Sequence, residues 1–210
     1  MTEATFVRYI YHPIVTRLAH FLSKTGFTPI QVSLIGFVLA LISAWLFASE
    51  YYAGLFFGAI LTYLSVATHR ASMEIRRFHQ KKNSENLQDS DDPSSKKPSR
   101  FERLHRSLTL YSEILLLAGL CAHSVVDSSR ILCLIITVLA VAGILLLEWI
   151  KDRPTGDFWK HCVFIQSHPL RVFILIIGAF INIPLLAILI IAILTNGILI
   201  SAAFQKDNHS

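Results

Sequence analysis

The longest uncharged stretch of the sequence runs from Val172 to Phe204 and contains no Asp, Glu, Lys or Arg. At about 1.5 Å per residue, one helix of that length is much longer than the roughly 30 Å hydrocarbon core of a membrane. The sequence Asn182-Ile183-Pro184 interrupts the stretch and is typical of a turn. We therefore predict two spans here, and the first must begin before Arg171.

Four more apolar stretches predict the rest of an all-α integral membrane bundle. Only 16% of the 210 residues are charged and 53% are hydrophobic, whereas soluble domains are nearer one quarter charged. Thr28-Pro29 is a favourable helix start, because Thr caps a helix and Pro suits its first turn. Residues 28–204 are thus expected to form one six-span domain. The predicted spans lie near 30–49, 51–68, 107–126, 131–147, 168–182 and 184–204.

The N-terminal segment, residues 1–27, precedes these spans. Apolar residues recur at helical spacing between Thr5 and Ser23, with basic residues elsewhere on the helix. This pattern predicts an amphipathic helix in the membrane interface, kinked at Pro13, and the alternative is a plain connecting segment. We expect no cleaved signal peptide, because no long apolar core is followed by small residues. Residues 205–210 are predicted to be a short C-terminal tail.

The polar residues between the second and third spans predict a flexible cytoplasmic loop over 80–99, which has almost no large apolar residue. Its acidic run, Asp89 to Asp92, is interpreted as a solvated patch. If the N-terminus is cytoplasmic, six crossings leave every Lys and Arg except Arg130 on the cytoplasmic side. This positive-inside pattern explains the net charge of +5 without a nucleic-acid partner. We expect both termini in the cytoplasm and a cell (inner) membrane rather than an organelle membrane.

Polar side chains collect at the two helix ends that flank this loop, within the stretch Ala67–Glu113. The first end follows an uncharged span and the second leads into another. Both ends are predicted on the same aqueous face. Polar residues at helical spacing share one side of a helix, so two such ends can form a common site.

This layout resembles the CDP-alcohol phosphatidyltransferases, membrane enzymes that join a CDP-activated lipid or alcohol to a second alcohol and release CMP. The resemblance extends from about Thr5 to Phe204. Thr28–Ser33 is similar to the family's T-P-N-x-V-T at the start of the first span. Tyr111-Ser112-Glu113 resembles the stretch after the last motif aspartate, and Arg171–Ile174 resembles a later Arg-containing span.

The family's signature is D-x-x-D-G-x-x-A-R, a spacer, then G-x-x-x-D-x-x-x-D. Its aspartates hold divalent metals that bridge the donor pyrophosphate, and the last one is taken as the base that deprotonates the acceptor. The alignment places Arg76 at the signature Arg, Ser72 and Phe101 at the glycines, and Ile75 at the Ala, with a longer spacer. The four aspartate positions are occupied by Thr68, Ala71, His105 and Thr109.

The loss of these carboxylates favours a catalytically inert homologue. Without them the mouth of the site is expected to be net positive with no metal or other cofactor, and such a mouth favours phosphate groups. We therefore predict binding of an anionic lipid headgroup or a CDP-like ligand, or pairing with an active relative. The predicted phosphate-binding residues are Arg70, Arg76, Arg77, Arg103, Arg106 and Arg171.

Two alternatives remain open at the level of sequence. One is an active transferase with a rebuilt metal site, for which His69, Glu74, His105 and Glu113 are weak metal candidates. The resemblance implies Mg or Mn for an active enzyme, and a set of His and Glu ligands could hold Zn or Mn. The other is an unrelated six-span transporter or structural membrane protein. The expected partners are membrane lipids and a second copy or a related chain, since members of the resembled family are commonly dimers.

Overall fold

The computed structural model describes residues 12–85, 100–127, 130–150 and 168–207. Every regular element in these ranges is an α-helix, which confirms the predicted all-α fold class. The helices are α1 (His12–Lys24), α2 (Pro29–Phe47), α3 (Tyr52–Glu85), α4 (Arg100–Asp127), α5 (Arg130–Ile150), α6 (His168–Phe180) and α7 (Pro184–Asp207).

Five of the helices, α2, α3, α4, α5 and α7, are long and apolar enough to cross a membrane. The sixth apolar helix, α6, is shorter, with 13 residues. Many large apolar side chains on these helices are exposed on the outside of the bundle, as expected where the surrounding medium is lipid. The chain is therefore an integral membrane protein with several spans, and the count of six stays a prediction.

Local sequence explains where two of the helices begin and end. At the start of α2 the Thr28 hydroxyl accepts the Gln31 N–H, and the Gln31 side chain accepts the Thr28 N–H, which is a capping box. Between α6 and α7, Asn182 has a φ of 60°, a left-handed conformation that Asn tolerates better than most residues. Pro184 then begins α7.

Helix α3 is longer than the sequence suggested. It continues to Glu85, so the predicted flexible loop is wrong for residues 80–85. The physical reason is that residues 69–85 contain no Gly or Pro, and Ala71 and Ile75 keep one side of the helix buried beyond the apolar span. Residues 86–99, including the acidic run, lie outside the described residues.

Helix α1 covers the second half of the predicted N-terminal helix. Its second residue is Pro13, in the first turn, where proline needs no hydrogen-bond partner. Val15, Ala19 and Leu22 are buried, and the helix packs against α3. Residues 1–11, 151–167 and 208–210 lie outside the described part of the chain, so the expectations for them stay predictions.

The bundle is centred on α2, which packs along both α3 and α4. Small residues permit this close approach: a Cβ added at Gly119 of α4 would lie 2.3 Å from the Ala44 carbonyl oxygen of α2. Polar groups join α2 to α3, because Ser65 Oγ donates to the Gly36 carbonyl at 2.7 Å and Ser43 Oγ lies 2.6 Å from Thr62 Oγ1. Helices α5, α6 and α7 pack around this core.

The two ends of the bundle carry different side chains. At one end the start of α2, the later part of α3 and the start of α4 converge, since side chains of Ser33, Ser72 and His105 contact one another. We call this the arginine end, because Arg76 and Arg106 also lie there. At the opposite end His123 Nδ1–H donates to the Ser49 carbonyl at 2.6 Å.

Candidate functional site

The four positions that correspond to the family's aspartates lie at the arginine end. The Thr68 hydroxyl donates to the Leu64 carbonyl at 2.7 Å, and the Thr109 hydroxyl donates to the His105 carbonyl at 2.9 Å. Ala71 is fully buried and has no polar side-chain atom. Within the described part of the chain, His105 is the one of the four whose side chain forms a hydrogen bond to another helix.

His105 closes a hydrogen-bond network across three helices. Its Nδ1 lies 2.9 Å from Ser33 Oγ and 3.3 Å from Ser72 Oγ, and the two serine oxygens are 2.8 Å apart. Ser72 donates its single proton to the His69 carbonyl at 2.7 Å, and Ser33 then donates to Ser72. With this arrangement His105 Nδ1–H donates to Ser33, and each contact has one donor.

His69 lies beside this network and is buried, with 3% of its surface exposed. Ser112 donates its proton to the Leu108 carbonyl at 2.8 Å, so His69 Nε2–H donates to Ser112 Oγ at 3.3 Å. The other ring nitrogen, Nδ1, has no hydrogen-bond partner among the described residues. The His69 and His105 rings meet edge to face, with centroids 5.6 Å apart.

The weak metal candidates do not form one ligand set. Two of them, His69 and His105, lie together, whereas Glu74 forms an ion pair with Arg77 and Glu113 is bound elsewhere in the bundle. Over residues 12–85, 100–127, 130–150 and 168–207, no group of three His, Cys, Asp or Glu residues could hold a metal ion. Among the described residues, the four weak metal candidates are therefore not brought together as one metal site.

Glu113 and Arg171 form a buried ion pair between α4 and α6. Arg171 Nη2 donates to Glu113 Oε2 at 2.8 Å, and Arg171 Nε donates to Glu113 Oε1 at 2.5 Å. The two side chains are 6% and 1% exposed. His168 Nε2 is 4.0 Å from the same carboxylate. Because both bonds are made to Glu113, the Arg171 guanidinium is already engaged by a carboxylate of the protein.

Most of the predicted phosphate-binding arginines have a carboxylate partner. Arg103 is exposed and Arg70 is partly buried beside the site. The six arginines and their four glutamates together carry a formal charge of +2, so the mouth is less positive than the arginines alone imply. The ion pairs are Arg76 with Glu102, Arg77 with Glu74, Arg106 with Glu148, and Arg171 with Glu113.

A stack of three side chains holds α3 against the start of α4. The Arg76 guanidinium lies 5.0 Å from the centroid of the Phe101 ring. Phe101 in turn stacks on His105, with centroids 5.7 Å apart and planes inclined by 19°. Arg76 Nη1 also contacts Glu102 Oε1 at 2.9 Å. The two polar helix ends therefore touch directly.

Sequence reasoning missed most of the partners of these side chains. Ser33 and Ser112 entered the sequence analysis only as members of the segments that resemble the family, and Glu102 was not among the predicted site residues. One signal was available, because Phe101, His105 and Thr109 are spaced four apart and share one side of α4. The partners on other helices have no comparable signal.

A separate cavity of about 390 Å³ lies at the opposite end of the bundle. Its wall is mainly apolar, and His123, Ser124 and Asn182 supply its polar atoms. This cavity shares no lining residue with the arginine end.

Comparison with known proteins identifies the fold. No protein-family model matches the sequence, and no curated protein matches it. Among solved structures, the chain is similar to the crystal structure of Mycobacterium tuberculosis phosphatidylinositol phosphate synthase with CDP-DAG bound. The TM-score is 0.66 at 18% sequence identity, over 91% of this chain and 92% of that one. The protein is thus a helical membrane protein whose fold resembles that of a CDP-alcohol phosphatidyltransferase.

Proposed function

We propose that this protein is a catalytically inert homologue of the CDP-alcohol phosphatidyltransferases that binds a phosphate group at its arginine end. The observation that carries the proposal is the set of side chains at the four aspartate positions. None is a carboxylate, and His105 is engaged by Ser33 and Ser72. The structural neighbour holds CDP-DAG, which supports a phosphate-bearing lipid or a CDP-like molecule as the ligand class.

The absence of carboxylates at these positions opposes the transfer reaction for two reasons. Mg and Mn prefer oxygen ligands, and Thr68 and Thr109 direct their hydroxyl protons to carbonyls of their own helices. The position assigned to the base is Thr109, whose hydroxyl is a much weaker base than a carboxylate. The nearest described Glu on α4 is Glu113, which is bound to Arg171.

Arg76 is the arginine best placed to bind a phosphate. It lies beside His105, between the ends of α3 and α4, with 17% of its side chain exposed. Arg70 and Arg103 add positive charge nearby. Arg171 is the least suitable of the predicted residues, because binding a ligand there would require breaking its buried pair with Glu113.

The proposed setting follows the charge pattern of the sequence. The arginine end faces the cytoplasm of a cell membrane, where it meets anionic headgroups. We further propose that the chain pairs with a second copy or with an active relative. Mass measurement of the complex purified in a mild detergent tests this pairing, and a protomer mass alone would oppose it.

Purified protein is expected to release no metal-dependent CMP. The assay supplies CDP-diacylglycerol and a panel of CDP-alcohols with mixed acceptors, and compares Mg or Mn with a chelator. The expected rate equals the chelator background, because none of the four positions that correspond to the family's aspartates carries a carboxylate to hold the metal. An active family enzyme prepared in the same detergent is the positive control. Metal-dependent release that disappears in His105→Ala would instead establish the alternative, a transferase with a rebuilt site.

Arg76→Ala is expected to reduce the anionic phospholipid that stays with the purified protein by about tenfold, since a bond to a charged group contributes roughly 1.5–3 kcal/mol. Lipid per mole of protein is measured by mass spectrometry after identical detergent washes. Arg130→Ala is the matched control, because it removes the same charge from an exposed residue at the opposite end. Equal retention by the wild type and both variants would remove Arg76 from the proposed site.

A further inference from the structure

Arg76 already binds an anionic group of the protein itself. Its Nη1 lies 2.9 Å from Glu102 Oε1, while its guanidinium carbon lies over the Phe101 ring. Glu102 lies in the first turn of α4, directly after Phe101. The carboxylate is therefore held beside Arg76 by the same turn that supplies the stacking ring.

This ion pair differs from the buried pair at Arg171. The Glu102 side chain is 43% exposed, whereas the Glu113 side chain is 1% exposed. Water and salt compete effectively with an exposed pair, so its contribution to stability is small. A buried pair cannot be broken without leaving an uncompensated charge in the bundle. Arg76 can therefore exchange its partner, and Arg171 cannot do so at comparable cost.

Carboxylates and phosphates bind a guanidinium in similar ways. Both present two oxygens to its planar N–H groups, and a phosphate carries at least as much negative charge as a carboxylate. Glu102 thus occupies a position that a phosphate oxygen would need for contact with Arg76. Because Glu102 belongs to the same chain, its effective concentration beside Arg76 is high and independent of ligand.

We infer that Glu102 is an internal competitor for the phosphate site, so that a phosphate-bearing lipid must displace the Glu102 carboxylate from Arg76 in order to bind. The inference depends on the proposed function and adds a means by which that site is kept closed without ligand. Displacement of Glu102 removes an ion pair that joins α3 to α4. Binding of an anionic headgroup is therefore coupled to loosening of the two helix ends.

Glu102→Gln is expected to bind a phosphate-bearing lipid about two- to fivefold more tightly than the wild type, because an exposed pair of this kind has a modest strength. The probe is dioctanoyl phosphatidic acid, titrated into the full-length protein in a nonionic detergent. Glu74→Gln is the matched control, since it removes the same charge from the same end but frees Arg77. A clearly smaller gain in lipid affinity is expected for this control. Glu74 does not pair with Arg76, so its removal changes only a screened, longer-range electrostatic effect at Arg76.

The combination of Arg76→Gln with Glu102→Gln tests the pairing directly. In the Arg76→Gln background the gain from Glu102→Gln is expected to disappear. Equal gains in Glu102→Gln and Glu74→Gln, or a gain that persists without Arg76, would overturn the inference and leave the proposed function standing. No binding of the probe by the wild type or by Glu102→Gln would overturn both.

Two further probes separate the possible sources of phosphate. Inorganic phosphate and CDP are titrated under the same conditions as dioctanoyl phosphatidic acid. A gain in Glu102→Gln that is larger for the lipid than for inorganic phosphate supports a lipid headgroup as the displacing ligand. An equal gain for inorganic phosphate overturns that assignment. Melting temperatures of Glu102→Gln and Glu74→Gln are expected to stay near that of the wild type, because both glutamate side chains are exposed to water.

Discussion

Arg171→Met is expected to lower the free energy of unfolding by about 3–5 kcal/mol, because it leaves the Glu113 carboxylate buried without a partner. Both side chains of this pair are almost completely buried, and the two bonds join α4 to α6. The loss is measured by thermal unfolding of the purified protein in detergent, together with the yield of monodisperse protein. Reduced lipid binding without a loss of stability would contradict this structural role.

Two further variants separate the lost pair from a general effect of removing an arginine. Arg77→Met removes an exposed arginine whose side chain is 70% exposed, and a change below about 1 kcal/mol is expected. The double replacement Glu113→Leu with Arg171→Met removes both charges. It is expected to recover most of the stability, because a buried pair can be replaced by apolar residues at little cost. A double variant as unstable as Arg171→Met would show that Arg171 acts through other contacts.

Gly119→Ala is expected to be the most damaging single methyl group added to the bundle. The new Cβ would lie 2.3 Å from the Ala44 carbonyl oxygen and about 3.0 Å from two further backbone atoms of Ala44. Backbone of a packed helix cannot rotate away as a side chain can, so α2 and α4 must separate. Overpacking of this kind typically costs about 1–3 kcal/mol, and the rigid neighbour places this site at the upper end.

Gly197→Ala is the matched control for this substitution. Gly197 is also a helical glycine, but a Cβ there meets no heavy atom within 4 Å. Its melting temperature is expected to stay within a few degrees of the wild type, or to rise slightly because Ala favours helix. If the melting temperature of Gly119→Ala equals that of the wild type, α2 and α4 do not pack as closely as described.

The apolar stretches of the sequence were sufficient to predict most of the architecture. Helices α2, α5 and α7 follow directly from uncharged runs, and Asn182-Ile183-Pro184 correctly marked the turn before α7. The end of α3 was not predictable in this way, because a polar helix and a polar loop differ little in composition. What extends α3 is the burial of Ala71 and Ile75, which depends on neighbouring helices.

The composition of the candidate site was predictable only in part. The resemblance directed attention to His105 and Arg76, and the structure places both at the contact of α3 with α4. Their partners depend on how helices are rotated against one another. Ser33 and His105 are 72 residues apart in sequence, and no local pattern relates them. Such pairings follow from tertiary packing, which periodicity does not specify.

The expected positive mouth shows the same limit. Counting arginines suggested a strong attraction for phosphate, yet Glu148 lies 42 residues from its partner Arg106 and Glu113 lies 58 from Arg171. The local charge depends on which acidic side chains the fold places next to each arginine. Those distances in space are set by the register of the helices. Adding the charges of residues that are neighbours in sequence therefore overestimates the positive electrostatic potential at a site of this kind.

The serine bonds between α2 and α3 have a mechanical consequence. Ser33, Ser65 and Ser43 tie the two helices together at three levels along their length. A lipid tail cannot replace a lost hydrogen bond, so α2 and α3 are expected to move together as one rigid body. Helices α3 and α4, by contrast, share few contacts. If the bundle opens to admit a headgroup, we therefore expect it to open between α3 and α4, where Arg76, His69 and His105 form the contacts between the two helices.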